Sequence, residues 1–292
     1  MKPAPFDLHV PETVGEAVGL LAELGEDAKP LAGGQSLVPL MALRLAVFGH
    51  LVDLGRIAPL GGIRRDGDHV VIGAGVRQSV LERDTDIRRL APLVAEATRH
   101  IGHFQIRNRG TLGGSLAHAD PAAEYPAVAV ALDAEVEVAG PAGTRVIAAG
   151  ALFDSPYTTA LSPDEVLVAV RIPVRRPGEG FALREVARRH GDFALAGCAA
   201  RVVLDAGAGR LTAARVVLFG VGGRPLRLPA VEDALCAGPA PGADLEDVLR
   251  EAAAALSPPE DVLATSRYRR SVVPHVARTA ITAAVADAAG AA

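Results

Sequence analysis

"KPLAGGQSLVPLMALRLA", residues 29–46, passes from a short apolar segment through Gly33 and Gly34, then Gln35 and Ser36, into an apolar run with helical spacing. Adjacent glycines at such a junction free the backbone to turn successive N–H groups toward one point, because no Cβ stands in the way. Upstream, "TVGEAVGLLAEL" (13–24) carries Thr13 and Glu16 in capping-box spacing, and its apolar residues recur every three or four positions. That pattern predicts an amphipathic helix. "KPLAG", on one side of the glycine segment, and "HLVDL" (50–54), on the other, read as short buried strands. Residues 1–56 are therefore expected to form a small α/β unit.

The same pattern returns about 80 residues later, in "RNRGTLGGSLAHADPAAEYP" (107–126), where Gly113 and Gly114 are flanked by Thr111 and Ser115. Two such loops can face one ligand. Their N–H groups and hydroxyls make a neutral, donor-rich concavity, and a helix opening just after the first loop adds the positive end of its dipole. This chemistry suits a pyrophosphate. No Gly-Lys-Ser/Thr follows either pair, so neither is a P-loop. Residue types alone leave the alternative of two tight turns equally open. A third glycine-rich segment, "HVVIGAGVRQ" (69–78), fails as a dinucleotide fingerprint, because Gln78 stands at its third glycine position and no parallel βαβ unit can be drawn around it.

Beyond residue 57 the texture changes to short strands and turns. A helix is expected over "DIRRLAPLVAEATRHIG" (86–102), and a hairpin over "AEVEVAG" (134–140) and "TRVIAA" (144–149). "RIPVRRPGEG" (171–180) reads as a linker. After it come a second hairpin over "ARVVLDAGAGRLTAARVVLFG" (200–220) and helices over "DLEDVLREAAAAL" (244–256) and "YRRSVVPHVARTAITAAVADAA" (268–289), the last kinked by Pro274 or carrying it in its first turn. There is no solenoid-type repeat and no heptad run.

Composition narrows the class. Half of the 292 residues are apolar, enough to bury the cores of two or three domains. A net charge of -4 offers a polyanion no attraction, so no nucleic acid partner is expected. Cys198 and Cys236 stand alone and outside any CxxC spacing, which removes a disulfide framework, a structural zinc and a cysteine-ligated iron–sulfur cluster held by this chain. "MKPAPFDLHVPET" (1–13) lacks the continuous apolar stretch of a signal peptide, and "ITAAVADAAGAA" (281–292) is too short and polar to span a bilayer. The expectation is a soluble, cytoplasmic protein with no membrane span.

The two Gly-Gly segments, the first continued to "LVDL", closely resemble the two FAD-binding signatures in the medium subunits of molybdenum hydroxylases, the aerobic carbon monoxide dehydrogenases and their xanthine dehydrogenase-like relatives. "VVIGAG", "RIPV", "REVARRHGDFALAG", "GVGGRPLR" and "YRRSVVPHVARTA" match landmarks of that family in its order, so the resemblance covers nearly the whole chain. It implies an α+β protein: a two-lobed FAD-binding fold of the vanillyl-alcohol oxidase (PCMH-type) class in residues 1–56 and 57–177, closed by a C-terminal α+β domain in residues 178–292. It implies non-covalent FAD whose pyrophosphate lies on Ala32, Gly33, Gly34, Gln35 and Ser36 and on Thr111, Gly113, Gly114 and Ser115. Asp120 and Glu124 fall where contacts to the ribityl or ring region are expected, Leu161 near the ring and Phe193 against its face. Lys29 is a phosphate neighbour or a strand-end charge. Molybdopterin and [2Fe-2S] are expected only on partner subunits, a large and a small one, in a dimer of heterotrimers. Electrons would pass from the [2Fe-2S] subunit to FAD and on to a final acceptor.

Some relatives have His at position 35 or Asn at position 115; Gln35 and Ser115 keep the hydrogen-bonding capacity. No side-chain acid, base or nucleophile is assigned. His100 and His103 have no third ligand in sequence range and read as surface or capping residues rather than metal ligands. His118 reads as a local hydrogen-bonding partner of its loop, and Arg184, Arg188 and Arg189 as a solvated face, with Arg184 or Arg188 alternatively near the flavin edge. The alternatives are a stand-alone FAD-dependent oxidase or dehydrogenase acting on a small organic substrate, and a flavin-free structural subunit.

Overall fold

Thr13 opens the first helix as its spacing predicts: in the computed structural model its hydroxyl accepts the Glu16 N–H at 3.1 Å. Residues 2–205, 207–237 and 244–291 are described. Ala206, in the turn of the second predicted hairpin, lies outside them. Helix α1 (Val14–Leu24) buries Ala17, Val18 and Leu21 beneath a parallel sheet of β1 (Asp7–His9), β2 (Ala28–Leu31) and β3 (His50–Asp53), ordered β1-β3-β2. Between β2 and β3 lies α2 (Leu37–Ala42), only six residues long. The chain leaves it through Arg44, whose φ of 58° is left-handed.

The second unit contains β4 (Ile63–Asp66), β5 (His69–Gly73), α3 (Gln78–Arg83), α4 (Thr85–Leu90), α5 (Pro92–Thr98), α6 (Phe104–Arg107), α7 (Leu112–His118), α8 (Glu124–Ala131), β6 (Glu135–Gly140), β7 (Gly143–Ala148), β8 (Phe153–Ser155), β9 (Thr158–Thr159) and β10 (Val166–Pro173). Its main sheet is antiparallel, ordered β4-β5-β10-β6-β7, so "HVVIGAG" lies between antiparallel neighbours as no Rossmann strand does. Gly73 and Gly75 serve a different end: a Cβ on Gly73 would lie 2.3 Å from the Leu60 carbonyl oxygen, and Gly75 N–H donates to that oxygen at 2.8 Å. The predicted helix over 86–102 is two helices. Pro92 has no N–H to continue α4, so the chain breaks at Ala91 and restarts with the proline in the first turn of α5.

Half of the predicted linker is strand. Strand β10 runs to Pro173 and β11 (Glu179–Val186) starts six residues later, while Arg175 ties the connection down through its N–H to Leu90 O at 2.7 Å and its guanidinium to Asp287 at 2.8 Å. Strands β11, β12 (Ala196–Asp205), β13 (Arg210–Phe219) and β14 (Leu226–Arg227) form an antiparallel sheet in that order, followed by α9 (Pro229–Ala237), α10 (Asp244–Ala254) and α11 (Ser266–Gly290). Both faces of this sheet are buried. Phe181, Leu183, Ala199, Val217 and Phe219 join the core of the second unit, and Ala182, Cys198, Ala200, Val216 and Leu218 join the core beneath α11. Helix α11 lies so close that a Cβ on Gly180 would be 2.0 Å from the Ala284 carbonyl oxygen. Pro274 sits well inside α11, beyond its first turn.

Candidate functional site

The β2–α2 turn and the segment leading into α7 meet edge to edge. A Cβ on Gly33 would lie 2.3 Å from the Arg109 carbonyl oxygen and 2.7 Å from Gly110 Cα; one on Gly114 would lie 2.7 Å from Thr111 Oγ1 and 3.3 Å from Ala32 Cβ. The two Gly-Gly pairs, far apart in the chain, therefore form one surface. Gly34, with φ of 72°, takes a conformation that residues with a side chain adopt at a cost.

The loops supply different groups. Within the first, none of the backbone N–H groups of Gly33, Gly34, Gln35 or Ser36 donates to an acceptor among the described residues, while the Gln35 amide folds back to brace Gly33 O at 3.0 Å. Within the second, the expected N–H cradle is already used internally. Leu112 N–H donates to Val76 O at 3.2 Å, Gly113 N–H to Ala74 O at 2.9 Å, Gly114 N–H to Thr111 Oγ1 at 3.0 Å and Ser115 N–H to Thr111 O at 3.2 Å. Thr111 is thus the N-cap of α7. The second loop keeps the Thr111 and Ser115 hydroxyls as donors. Since α2 has only six residues, its dipole adds less at the first loop than a long helix would.

Sequence reading missed what holds the second loop in place. The rejected segment 73–78 lies directly beneath it: Gln78 N–H donates to Gly110 O at 2.9 Å, Arg77 pairs with Thr111 as an isolated bridge, and a Cβ on Gly113 would be 2.5 Å from Ala74 Cβ. The signal was present as small residues in both segments, "GAG" and "GG", but only pairing reveals why they are small.

The remaining candidates lie on β2, at α7 and α8, and in the loops after β9 and β11. Lys29 is exposed on β2 with Nζ 5.9 Å from the centre of the Phe48 ring. His118, at the end of α7, packs its ring 5.1 Å from that of Tyr157, and burial lowers its pKa. Asp120 accepts the Ala122 N–H at 2.9 Å, closing the turn into α8. Glu124 is buried in the first turn of α8, and burial first, then the charges of Glu185 and Asp120, push its pKa up to about 8. Leu161 packs at the edge of the second core, and Phe193 is 58% exposed on the loop between β11 and β12. That loop abuts the second unit: a Cβ on Gly191 would lie 2.8 Å from Gly102 O. Gly102, His103, Phe104, Gln105, Arg107 and His190 line a cavity of about 320 Å³ at this seam. Arg184 binds Glu96 at 2.8 Å and Arg189 binds Asp192 at 3.1 Å, while Arg188 is exposed.

A parallel lobe and an antiparallel lobe that join two Gly-Gly loops, with a C-terminal α+β unit packed against the second, define a two-lobed flavin-binding fold of the PCMH type. Residues 4–175 match the FAD binding domain in molybdopterin dehydrogenase, and residues 181–284 the CO dehydrogenase flavoprotein C-terminal domain. The chain is 39% identical over 285 residues to the carbon monoxide dehydrogenase medium chain of Hydrogenophaga pseudoflava, covering 97% of this chain and 98% of that one. It is 40% identical to the 6-hydroxypseudooxynicotine dehydrogenase complex subunit alpha of Paenarthrobacter nicotinovorans, covering 94% and 92%. A solved carbon monoxide dehydrogenase from Hydrogenophaga pseudoflava, lacking the Mo-pyranopterin moiety of its cofactor, superposes with a TM-score of 0.95 at 40% identity, covering 98% of this chain and 99% of the other. The chain belongs to the family of FAD-carrying medium subunits of molybdenum hydroxylases, an oxidoreductase family.

Proposed function

We propose that the chain binds FAD non-covalently and relays electrons from a [2Fe-2S] small subunit to a final acceptor, while a molybdopterin large subunit oxidises the substrate, the three assembling as a dimer of heterotrimers in the cytoplasm. The observation that carries the cofactor part is the junction of the two loops. The N–H groups of residues 33–36, open among the described residues, and the hydroxyls of Ser36, Thr111 and Ser115 lie on the two loops that meet there, with no Cβ at Gly33, Gly34, Gly113 or Gly114. Such a surface fits a pyrophosphate held by neutral donors.

In this reading Ala32, Gly33, Gly34, Gln35 and Ser36 hold one side of the pyrophosphate and Thr111, Gly113, Gly114 and Ser115 the other, with Lys29 at its edge. Asp120 and Glu124 face the ribityl and ring region, Leu161 lies by the ring, and the exposed Phe193 covers its face. FAD supplies the chemistry of taking electrons singly and handing them on as a pair. The chain's residues bind and orient it, in two FAD-binding lobes over 1–56 and 57–177 closed by a C-terminal domain over 178–292. Relatives at 39% and 40% identity are named for carbon monoxide and for 6-hydroxypseudooxynicotine, which supports a chain whose sequence does not encode the substrate.

The test is the purified chain's absorbance followed by acid precipitation. Flavin colour should appear and pass into the supernatant. Colour retained in the pellet would overturn non-covalent binding, and a colourless chain that takes up no added FAD would overturn the cofactor reading.

A further inference from the structure

Arg269, in the first turn of α11, is 4% exposed, so its guanidinium brings a permanent positive charge inside the C-terminal unit. A buried charge persists only where it is paired and hydrogen-bonded. This one reaches acceptors in three separate segments. Nη1 donates to Leu195 O at 2.7 Å and to Gly220 O at 3.1 Å, and Nη2 to Asp261 Oδ2 at 2.7 Å. Asp261 is itself held, its other oxygen accepting the Leu263 and Ala264 N–H groups at 2.8 and 3.0 Å.

Two of these acceptors lead to the proposed flavin site. Leu195 ends the loop between β11 and β12: its N–H closes the base of the loop on Val186 O at 2.7 Å, while its carbonyl goes to Arg269. Phe193 stands two residues earlier. Between the loop's ends, the hydrogen bonds of residues 187–194 among the described residues are internal, Asp192 N–H to Arg189 O at 3.1 Å and the Arg189–Asp192 ion pair, so its ends set its place. Gly220, just past β13, has φ of 75°, and its N–H donates to Pro121 O at 2.8 Å, in the turn that Asp120 closes before Glu124. It also lies against the loop, since a Cβ there would be 2.8 Å from Ala194 O and 3.2 Å from Leu195 O.

We propose that Arg269 is a positioning residue for the flavin: from α11, one guanidinium fixes the base of the 187–195 loop that carries Phe193 and, through Gly220, the turn that carries Asp120. What the loop covers rests on the FAD reading; the hydrogen bonds that hold it do not. Lysine cannot replace this arginine, because an ammonium is a point charge without the planar fork that reaches acceptors in three segments at once. An arginine that only filled space would act differently. Its loss would loosen the core beneath α11 as any cavity does, without singling out the loop and the Asp120 turn.

The experiment is hydrogen–deuterium exchange of the full chain, read on peptides covering 187–195 and 119–123 against peptides of β12 and β13. Arg269→Lys should speed exchange in both segments by about tenfold or more while the strands keep their rates. Val276→Ala, buried two turns further along α11, is the control: it thins the same core without removing a side-chain hydrogen bond, and both segments should exchange as in the wild type. Wild-type rates over 187–195 in Arg269→Lys, or an equal rise in Val276→Ala, overturn the proposal. If Arg269→Lys does not fold, Asp261→Asn decides, since it weakens the charged anchor of the same fork from its exposed side; it must speed exchange over 187–195, and wild-type rates there overturn the proposal. Loaded with FAD, Arg269→Lys should let iodide quench the flavin fluorescence about twofold more strongly than in the wild type, because the loop over the ring opens more often. Faster exchange with unchanged quenching overturns the flavin role. A chain that takes up no FAD defeats the cofactor reading and with it the flavin role, while the exchange rates still decide whether Arg269 holds the loop.

Discussion

Gly34 and Gly114 read alike in the sequence, each the second glycine of its pair, yet the structure requires them for different reasons. Gly34 has a positive φ, which costs a β-branched residue roughly 1–3 kcal/mol, and its Cβ would be 3.1 Å from Val38. Gly114 has no such dihedral; a side chain there strikes the Thr111 hydroxyl and Ala32, parting the two loops. Gly34→Val and Gly114→Val are both expected to emerge from purification without flavin while keeping the far-ultraviolet circular dichroism of the wild type. Full flavin occupancy in both would reduce the glycines to turn formers. The candidate site was legible at this scale because glycine, serine and threonine clustered twice. The contact of His100 with Glu185 was not legible, since a buried carboxylate becomes noticeable only when its neighbours are known.

Helix α7 is the element on which the second loop depends, and its N-cap is a single hydroxyl. Thr111→Ala leaves Gly114 N–H without its acceptor and should cost about 1 kcal/mol, read as a lower denaturant midpoint, together with weaker FAD binding. Thr111→Ser should restore most of both. If Thr111→Ala lost neither, the cap would have no part in holding the loop. Elements with strong local signals were read correctly in kind: α1 from its capping box, and the two hairpins from alternation about a turn. Those that differ do so for local and tertiary reasons. Pro92 divides one expected helix, and Arg175 draws an expected linker onto Leu90 and Asp287.

At the level of the whole molecule, the C-terminal sheet is buried on both faces, so the second and third units share a hydrophobic seam rather than a hinge. The proposed cofactor site is completed across that seam by the 187–195 loop, and its electrons must enter from another chain. The isolated chain, loaded with FAD, is therefore expected to be reduced slowly or not at all by small organic substrates. Adding the iron–sulfur and molybdenum subunits should restore rapid reduction, measured as bleaching of the flavin band. Fast and specific bleaching of the isolated chain by one organic substrate would favour the stand-alone oxidase.

Sequence by itself determined the local chemistry: where backbone can turn without a Cβ, which segments bury a face, which helix carries its own cap, and that Cys198 and Cys236 stand outside any CxxC spacing. These follow from residue type and short spacing, which act through contacts within a few positions. Tertiary structure alone decided which N–H groups stay open, because the donors of residues 112–115 are consumed by Val76, Ala74 and Thr111, whereas those of residues 33–36 meet no acceptor among the described residues. It also decided the use of "GAG" as a floor for the second loop and the approach of His100 to Glu185. Each of these joins groups dozens of residues apart, and hydrogen bonding and burial depend on distance in space, which spacing along the chain does not specify.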